Sequence, residues 1–262
     1  MNNYFFYSLI CIILTTHLIS CTEKTKKFND WQRMNLKDKV QQIDELNYPS
    51  YQDLMQKSNA KKSFTRFNEE GLIINSAIYN NNNTMLWMKY LYQGDSIWIN
   101  ETIEVANKVE HPQAYWLYQL DKNGAQKSIT SILIDSSVNF HIDLEVNSDG
   151  NATNIAYSQQ KHPAHVPCQI TKTYDAQGQI KEELSYHYDD IRKRCREQAT
   201  QSLFKVNEQG DIIREIITTY DGRKRNHSYT YTYDKKGNWT QRLHYLGDDV
   251  QEVIIREFTY YD

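Results

Sequence analysis

Apolar and polar residues alternate with a period of two between residues 229 and 245, and one turn interrupts the alternation. The aromatic and aliphatic residues that keep this period are Tyr229, Tyr231, Tyr233, Trp239, Leu243 and Tyr245. Between the two halves lie Asp234 and, three residues later, Gly237. An aspartate can cap a type I turn with its own carboxylate, and a glycine adopts the positive φ of the following bulge position at little steric cost. This stretch therefore predicts a β-hairpin.

Earlier parts of the chain repeat this turn sequence. Each copy has an apolar or aromatic residue, an Asp or Asn, two variable residues and a glycine. The turn glycines of the six copies are Gly71, Gly124, Gly150, Gly178, Gly210 and Gly237. Successive glycines are 53, 26, 28, 32 and 27 residues apart. Because 53 is close to twice the other spacings, a decayed copy is predicted around Gly94, which gives seven units.

The repeat spacing sets the fold class. A spacing near 27 residues holds one tight turn, a strand, a looser turn and a returning strand. Seven units predict roughly fourteen antiparallel strands in sequence order, and a sheet of that size curls instead of staying flat. The predicted fold is all-β, an antiparallel meander of hairpin repeats that is strongly twisted or curled into an open barrel-like shell. Before the repeats, we expect a strand within 36–48 and a short helix within 51–62.

Composition agrees with a β protein and narrows the choice of partners. The chain has twenty tyrosines and only nine glycines, which favours strands joined by tight turns over flexible linkers. Its 30 basic and 33 acidic residues give a net charge of −3. The balance does not favour a nucleic-acid partner, which would call for a basic surface.

The clearest turn copies resemble a known repeat family. Tyr233-Asp-Lys-Lys-Gly237-Asn, Tyr174-Asp-Ala-Gln-Gly178 and the final Tyr261-Asp262 resemble the YD or Rhs repeat. That repeat forms β-shells around secreted toxins and occurs in many small envelope lipoproteins. The resemblance covers most of 67–262 and implies an array of YD-like hairpins, but it implies no activity. Other copies depart from the family because Asn replaces Asp or an aliphatic residue replaces Tyr.

The amino terminus resembles that of a bacterial lipoprotein. The apolar run Phe5–Leu14 is too short for a convincing membrane span, and Leu18-Ile-Ser-Cys21 follows it in the manner of a lipobox. In that family the signal peptide is cut before the cysteine, which is then lipidated. The resemblance implies a signal peptide at 1–20, lipidation of Cys21, a tether at 21–30 and a repeat domain at 31–262. No Lys or Arg precedes Cys21, and the alternatives are an ordinary cleaved signal or a single uncleaved anchor.

The residue after the lipobox cysteine bears on location. Thr22 stands where an aspartate would hold an enterobacterial lipoprotein at the inner membrane. The resemblance therefore implies a protein of the cell envelope that is lipid-anchored at the outer membrane, on either its periplasmic or its surface face. Two or three acyl chains give stable anchoring, so the membrane is a predicted partner through the lipid alone.

Two further cysteines, Cys168 and Cys195, follow the lipobox. An oxidising envelope allows them to form a disulfide. Hairpin geometry puts them two strands apart, about 10 Å by strand spacing, so pairing requires a loop that bends them together. Two separate thiols are the alternative.

Two other groups of residues were weighed for chemistry. His162, His165 and Cys168 share one proline-containing loop, but no fourth ligand at a recognised spacing accompanies them, so no metal site is predicted. The basic clusters at 192–196 and 223–225 fall beside hairpin ends. Such clusters are typical of solvated turns, and contact with lipid phosphates or an acidic partner is the alternative.

The aromatic residues of the last third form the candidate binding surface, which comprises Tyr229, Tyr231, Tyr233, Trp239 and Tyr245. Aromatic side chains on one face of a sheet offer a flat surface for a sugar or a protein. Packing of the inner face of the sheet is the alternative.

The sequence lacks the motifs of common enzymes. We find no nucleophile elbow, phosphate loop or zinc-protease helix, so neither an enzymatic activity nor a cofactor is predicted. The predicted function is a non-enzymatic binding module that meets a protein or glycan of the envelope. The alternative is an immunity lipoprotein that neutralises a secreted toxin of the type VI or Rhs kind in the periplasm. This alternative is suggested by the frequent association of YD repeats with secreted toxins.

Overall fold

The computed structural model describes residues 29–80, 84–105, 108–121, 125–133, 138–148, 151–159, 167–189 and 194–262. The predicted signal peptide, Cys21 and most of the tether lie outside these ranges. Gly124, Gly150, His162 and His165 also lie outside them. The described residues contain two short helices, α1 (Asp30–Arg33) and α2 (Tyr51–Gln56). The expected helix within 51–62 corresponds to α2.

The remaining elements are strands. Their bounds are β1 (Val40–Tyr48), β2 (Lys61–Phe67), β3 (Ile73–Asn80), β4 (Thr84–Gln93), β5 (Ser96–Val105), β6 (Lys108–Leu120), β7 (Gln126–Leu133), β8 (Val138–Val146), β9 (Ala152–Gln159), β10 (Pro167–Tyr174), β11 (Ile180–Asp189), β12 (Arg194–Cys195), β13 (Thr200–Val206), β14 (Ile212–Thr218), β15 (Lys224–Tyr233), β16 (Trp239–Leu246) and β17 (Asp249–Tyr260).

These strands form a closed antiparallel barrel. Each strand pairs with the next in sequence, except that the two-residue β12 pairs only with the end of β11, whose main part pairs with β13. The last strand, β17, pairs with β1 and closes a ring of sixteen strands. The predicted all-β meander curled into a barrel-like shell is confirmed. The sequence did not decide whether the sheet closes, and the structure shows that it does.

The repeated turns share one set of hydrogen bonds. In the turn after β15, the backbone N–H of Asp234 donates to the carbonyl of Asn238 (2.9 Å) and the N–H of Gly237 donates to the carbonyl of Asp234 (3.2 Å). The Asp234 carboxylate also accepts from the N–H groups of Lys236 and Asn238, both at 2.9 Å. In three other turns the side chain at the position of Asp234 accepts the same two hydrogen bonds. These side chains belong to Asn68, Asp175 and Asn207. One acidic or amide side chain thus satisfies two turn N–H groups in each copy.

The four described turns in which this side chain accepts two N–H groups lie at one end of the barrel, which we call the turn rim. It contains the turns at 68–71, 175–178, 207–210 and 234–237, whose glycines have φ between +77° and +90°. The two-residue turn of Gly94 and Asp95 between β4 and β5 is on the same rim, where the decayed copy was expected. Gly222 and Gly247 turn the chain at the opposite end.

Tyrosine hydroxyls connect neighbouring turns of the rim. The Tyr174 hydroxyl donates to the carbonyl of Ala152, just after the preceding turn (2.8 Å). In the next copies the Tyr233 hydroxyl donates to the carboxylate of Asp211 (2.8 Å), and Tyr260 donates to Asp234. A tyrosine before the turn therefore reaches the previous turn, which an aliphatic residue in that place cannot do.

The chain before β1 crosses the mouth of the barrel at the turn rim, and we call residues 29–39 the capping segment. At its start the Asp30 carboxylate accepts from the N–H of Ile73 and from the Tyr92 hydroxyl, both at 2.7 Å. Trp31 donates its ring N–H to the carbonyl of Val40 (2.8 Å) and packs against Phe67, within the core cluster of the barrel. The predicted domain start at residue 31 falls inside α1.

The other end of the capping segment contacts turns on the far side of the mouth. Asn35 donates from its amide to the carbonyl of Gln209 (3.0 Å). Lys37 and Asn238 exchange two bonds, at 2.8 Å to the Asn238 side-chain oxygen and at 2.7 Å from its amide. The segment thereby ties β2 and β3 to strands several places away around the ring.

The two faces of the sheet differ in burial. Tyr231 and Arg242 are opposite each other on one face, and Thr230 and Leu243 are opposite each other on the other. Asn35, from the segment that crosses the mouth, lines the same pocket as Tyr231 and Arg242, so this face is the interior. Thr230 is exposed. Among the described residues, no helix has the length and apolar character needed to cross a membrane.

Candidate binding site on the inner wall

A pocket of about 540 Å³ lies on the inner wall of the barrel, near the turn rim. Strands β15, β16 and β17 supply most of its lining, and residues 210–212 and the capping segment complete it. We call it the inner-wall pocket. Its volume is within the usual range for small-ligand sites.

Aromatic rings form much of the inner-wall pocket and its border. Tyr229 stacks on His244 with centroids 4.9 Å apart. Tyr231 stacks on Tyr233 at 6.1 Å and meets the edge of Trp239 at 6.0 Å. Offset and edge contacts of this kind are the preferred arrangements of aromatic pairs.

The structure divides the candidate binding surface between two faces. Trp239 lies on the inner wall, whereas Tyr245 pairs with Ser228 on the outer face. Simple alternation would place the two residues together. However, Thr240 is an extra residue between the pairs Tyr233 with Trp239 and Thr232 with Gln241, and this bulge reverses the alternation. Four of the five predicted residues are therefore on the inner wall.

Hydrogen bonds fix the tyrosine rings of the inner wall. The hydroxyl of Tyr229 donates to Glu215 (3.2 Å), and that of Tyr231 donates to the carbonyl of Ile212 (2.8 Å). Burial raises the pKa of Tyr229, Tyr231 and Tyr233 to about 12 each. The hydroxyls consequently remain protonated donors at neutral pH, and the rings are held with their faces in place.

Two ion pairs cross between strands on the same wall. Arg242 donates to Glu252 at 2.8 Å, and Arg256 donates from Nε to Glu45 at 2.8 Å. The Arg256 guanidinium also lies 3.6 Å from the centroid of the Trp239 ring, in a cation–π contact. Burial lowers the pKa of Arg256, and the nearby Glu45 opposes that shift. Both arginines thus have a carboxylate partner on the wall.

A histidine pair completes the wall beside Tyr229. His227 Nδ1 and His244 Nε2 are 2.8 Å apart, and the two rings stack at 5.1 Å. One ring must donate and the other accept, which requires at least one of the two to be neutral. Burial lowers the pKa of His244, and His227 lowers it further. Neutral His244 is therefore the form that fits this contact near pH 7.

Sequence reasoning missed the charged members of this site. Glu45 is 211 residues from Arg256, and each residue alone reads as an ordinary strand position. Only the pairing of β1 with β17 brings them together. The signal in the sequence was the recurrence of charged residues at positions that share a face with the tyrosines, but the register needed to see it is not local.

The cysteines that can pair do so in the structure. Cys168 and Cys195 form a disulfide with their Cα atoms 6.1 Å apart. They flank β11, and the short distance arises where β10 has a register shift between Pro167 and Gln169 and β12 pairs with only the end of β11. These irregularities supply the bend that regular strand spacing lacks.

The basic clusters contain exposed ion pairs where they are described. Arg194 pairs with Glu197 (2.9 Å), and Arg223 pairs with Asp221 (2.7 Å). No group of three or more His, Cys, Asp or Glu residues with metal-binding geometry occurs in the described part of the chain. His162 and His165 fall outside it.

Comparison with known proteins finds similarity in fold only. No protein-family model and no curated protein sequence matches this chain. A porin-like protein from Bacteroides uniformis matches with a TM-score of 0.51 and 11% identity, over 84% of this chain and 96% of that one. A porin-like protein from Bacteroides vulgatus matches with a TM-score of 0.53 and 10% identity, over 86% and 99%. The chain is therefore similar in fold to porin-like proteins.

Proposed function

We propose that this chain is a lipid-anchored protein of the bacterial envelope that acts as a non-enzymatic binding module, with its barrel beside the membrane and not across it. The main observation against a barrel that crosses the membrane is that charged side chains occupy the middle of strands on both faces of the closed sheet. The ligand-binding part of the proposal rests on the inner-wall pocket.

The outer face argues against contact with lipid. Asp44 and Lys89 are exposed near the middle of β1 and β4, and Lys62, Asp143 and Glu257 are exposed on β2, β8 and β17. A barrel that spans a bilayer has an apolar outer band about 25 Å tall, and a lysine at its midplane costs about 2–4 kcal/mol. The inner wall is charged as well, so exchanging the two faces would not provide such a band.

Three observations support an envelope location. The lipobox resemblance at Cys21 provides an anchor, and the Cys168–Cys195 disulfide suits an oxidising compartment. The structural neighbours are porin-like proteins. Residues 22–28 have a maximum reach of about 25 Å, and the described chain begins at the turn rim, so the turn rim would face the membrane.

The anchor is tested by fractionating cells that express the full chain with labelled palmitate. We expect wild-type protein to carry the label and to sediment with membranes. Cys21→Ser should lose the label and become soluble. Cys11→Ser is the matched control, because it also removes a cysteine from the apolar leader and should keep both label and location. A Cys21→Ser protein whose mass shows that the leader has been removed, and which still stays in membranes after alkaline extraction, would contradict the proposal, since a spanning barrel resists that treatment without a leader.

A further inference from the structure

We propose that the inner-wall pocket binds a neutral oligosaccharide. This inference deepens the proposed binding function and rests on it. The ligand class follows from three properties of the wall: fixed aromatic rings, compensated charges and a mixture of hydrogen-bond donors and acceptors.

The aromatic rings supply the apolar part of the site. Tyr229 and Tyr231 are half-buried, and their hydroxyls are bonded to neighbouring strands and turns, so little further ordering is needed when a ligand arrives. A sugar ring has an apolar face of C–H groups that packs on an aromatic ring. Arg256 covers one side of Trp239 and His244 stacks on one face of Tyr229, which leaves Tyr231 as the main platform.

The charges of the wall favour a neutral ligand. A site for an anion would offer a cation without a partner, and a site for a cation would offer a free carboxylate. Here Arg242 is bonded to Glu252 and Arg256 to Glu45, each at 2.8 Å. The carboxylates of Asp211 and Glu215 accept hydrogen bonds from the hydroxyls of Tyr233 and Tyr229. A ligand with a full charge would have to break one of these ion pairs or displace a bonded tyrosine hydroxyl, at the cost of leaving the former partner unsatisfied.

Several polar groups of the pocket can form further hydrogen bonds with the hydroxyl groups of a ligand. Arg242 has five N–H donors and uses one on Glu252, and its side chain is 28% exposed. Asp211, His244 and Asn35 add acceptors and donors around the same pocket. Adjacent hydroxyls of a sugar both donate and accept, so they match a mixed set of groups better than they match a single charge.

The test is isothermal titration of the full chain, purified in mild detergent, with maltohexaose, cellohexaose and xylohexaose as neutral probes and hexagalacturonate as the anionic probe. We expect saturable binding of at least one neutral probe, together with a change in the intrinsic tryptophan fluorescence, to which Trp239 contributes. Tyr231→Ala should weaken that binding roughly tenfold or more. Tyr245→Ala, which removes the same side chain from the outer face of the adjacent strand, should leave it unchanged.

Tyr231→Phe keeps the ring and should retain binding, which separates loss of the platform from loss of folding in the alanine variant. Binding of hexagalacturonate alone, equal weakening by Tyr231→Ala and Tyr245→Ala, or no binding of any neutral probe at millimolar concentrations would each overturn the inference. These outcomes leave the anchoring result untouched, because fractionation of Cys21→Ser does not depend on the pocket. A wrong ligand class is thus distinguishable from a wrong proposed function.

Discussion

The backbone N–H of Tyr261 donates to the carbonyl of Lys39, at 2.9 Å, across the two ends of the chain. The same bond joins Asp234 to Asn238 within a turn of the repeat. Tyr260, like Tyr233, is the last residue of its strand, and in both cases a register shift lies immediately before the tyrosine. The barrel is therefore closed by one more copy of the repeated turn, which is divided between the carboxyl and amino ends.

Truncation after Arg256 should open this closure. The deletion removes the β17 partners of residues 40–44 on β1 and the bond to Lys39. At about 1 kcal/mol for each backbone hydrogen bond, we expect a loss of about 3 kcal/mol or more in the free energy of unfolding. Urea denaturation followed by circular dichroism measures it. Deletion of Asp262 alone is the control, and equal stability of the two truncated proteins would contradict a role for closure.

Gly71 and Gly222 provide a matched pair for the turn rim and the opposite end. Their φ angles are +80° and +83°, so alanine is strained at both, by about 1–2 kcal/mol. A Cβ at Gly71 would also lie 2.5 Å from the Trp31 ring, whereas none of the described atoms is within 4 Å of a Cβ at Gly222. We therefore expect Gly71→Ala to lower the melting temperature more than Gly222→Ala. Equal decreases would show that the capping segment moves away freely.

Replacing one partner of the Arg256–Glu45 pair should lower the free energy of unfolding more than replacing both. Arg256→Met leaves the Glu45 carboxylate, which is 24% exposed, without a cation, and we expect a loss of about 2 kcal/mol after allowing for that exposure. Arg256→Met combined with Glu45→Met should recover most of the loss. Thermal unfolding of the two single variants and the double variant gives the coupling. Arg223→Met, at an exposed ion pair, is the control and should leave the melting temperature unchanged.

Stability should fall on mild acidification because of two histidines. Burial lowers the pKa of both His244 and His187 below the ordinary 6.5. His227 and Arg242 lower the pKa of His244 further, and Arg196 lowers that of His187 further. Glu252 and Glu215 oppose this shift at His244. Below pH 6.5 the unfolded chain thus binds more protons than the folded one. The contribution of these histidines to the free energy of unfolding is therefore greatest above pH 6.5 and decreases as the pH falls.

Urea unfolding at several pH values between 7.5 and 5.5 measures this decrease. His244→Gln should reduce its slope, and His187→Gln should reduce it further. Because the comparison concerns the slope, the loss of the contact with His227 in the first variant does not obscure the result. A slope that is unchanged in both variants would assign the acid sensitivity to other groups.

The sequence predicted the hairpin units because each turn is specified by residues within the turn itself. Asp234 and Gly237 specify a turn without reference to the rest of the chain. The seven copies then give roughly fourteen of the sixteen strands of the ring, and the two that they leave out are β1 and β17. The sequence could not predict the closure, because the turn shared by Tyr261 and Lys39 has no contiguous template. It also misplaced Tyr245 relative to Trp239, since a one-residue bulge at Thr240 leaves no mark in the alternation.

The two ends of the barrel place different limits on insertions. At the turn rim the connections at 68–71, 175–178, 207–210 and 234–237 each have a glycine with positive φ and a side chain that bonds two N–H groups, so one added residue would break a complete unit. At the opposite end the connections range from two residues at 247–248 to twelve at 49–60, which include α2. A guest sequence, whether an epitope or a whole domain, therefore belongs at the opposite end, where it would extend away from the turn rim.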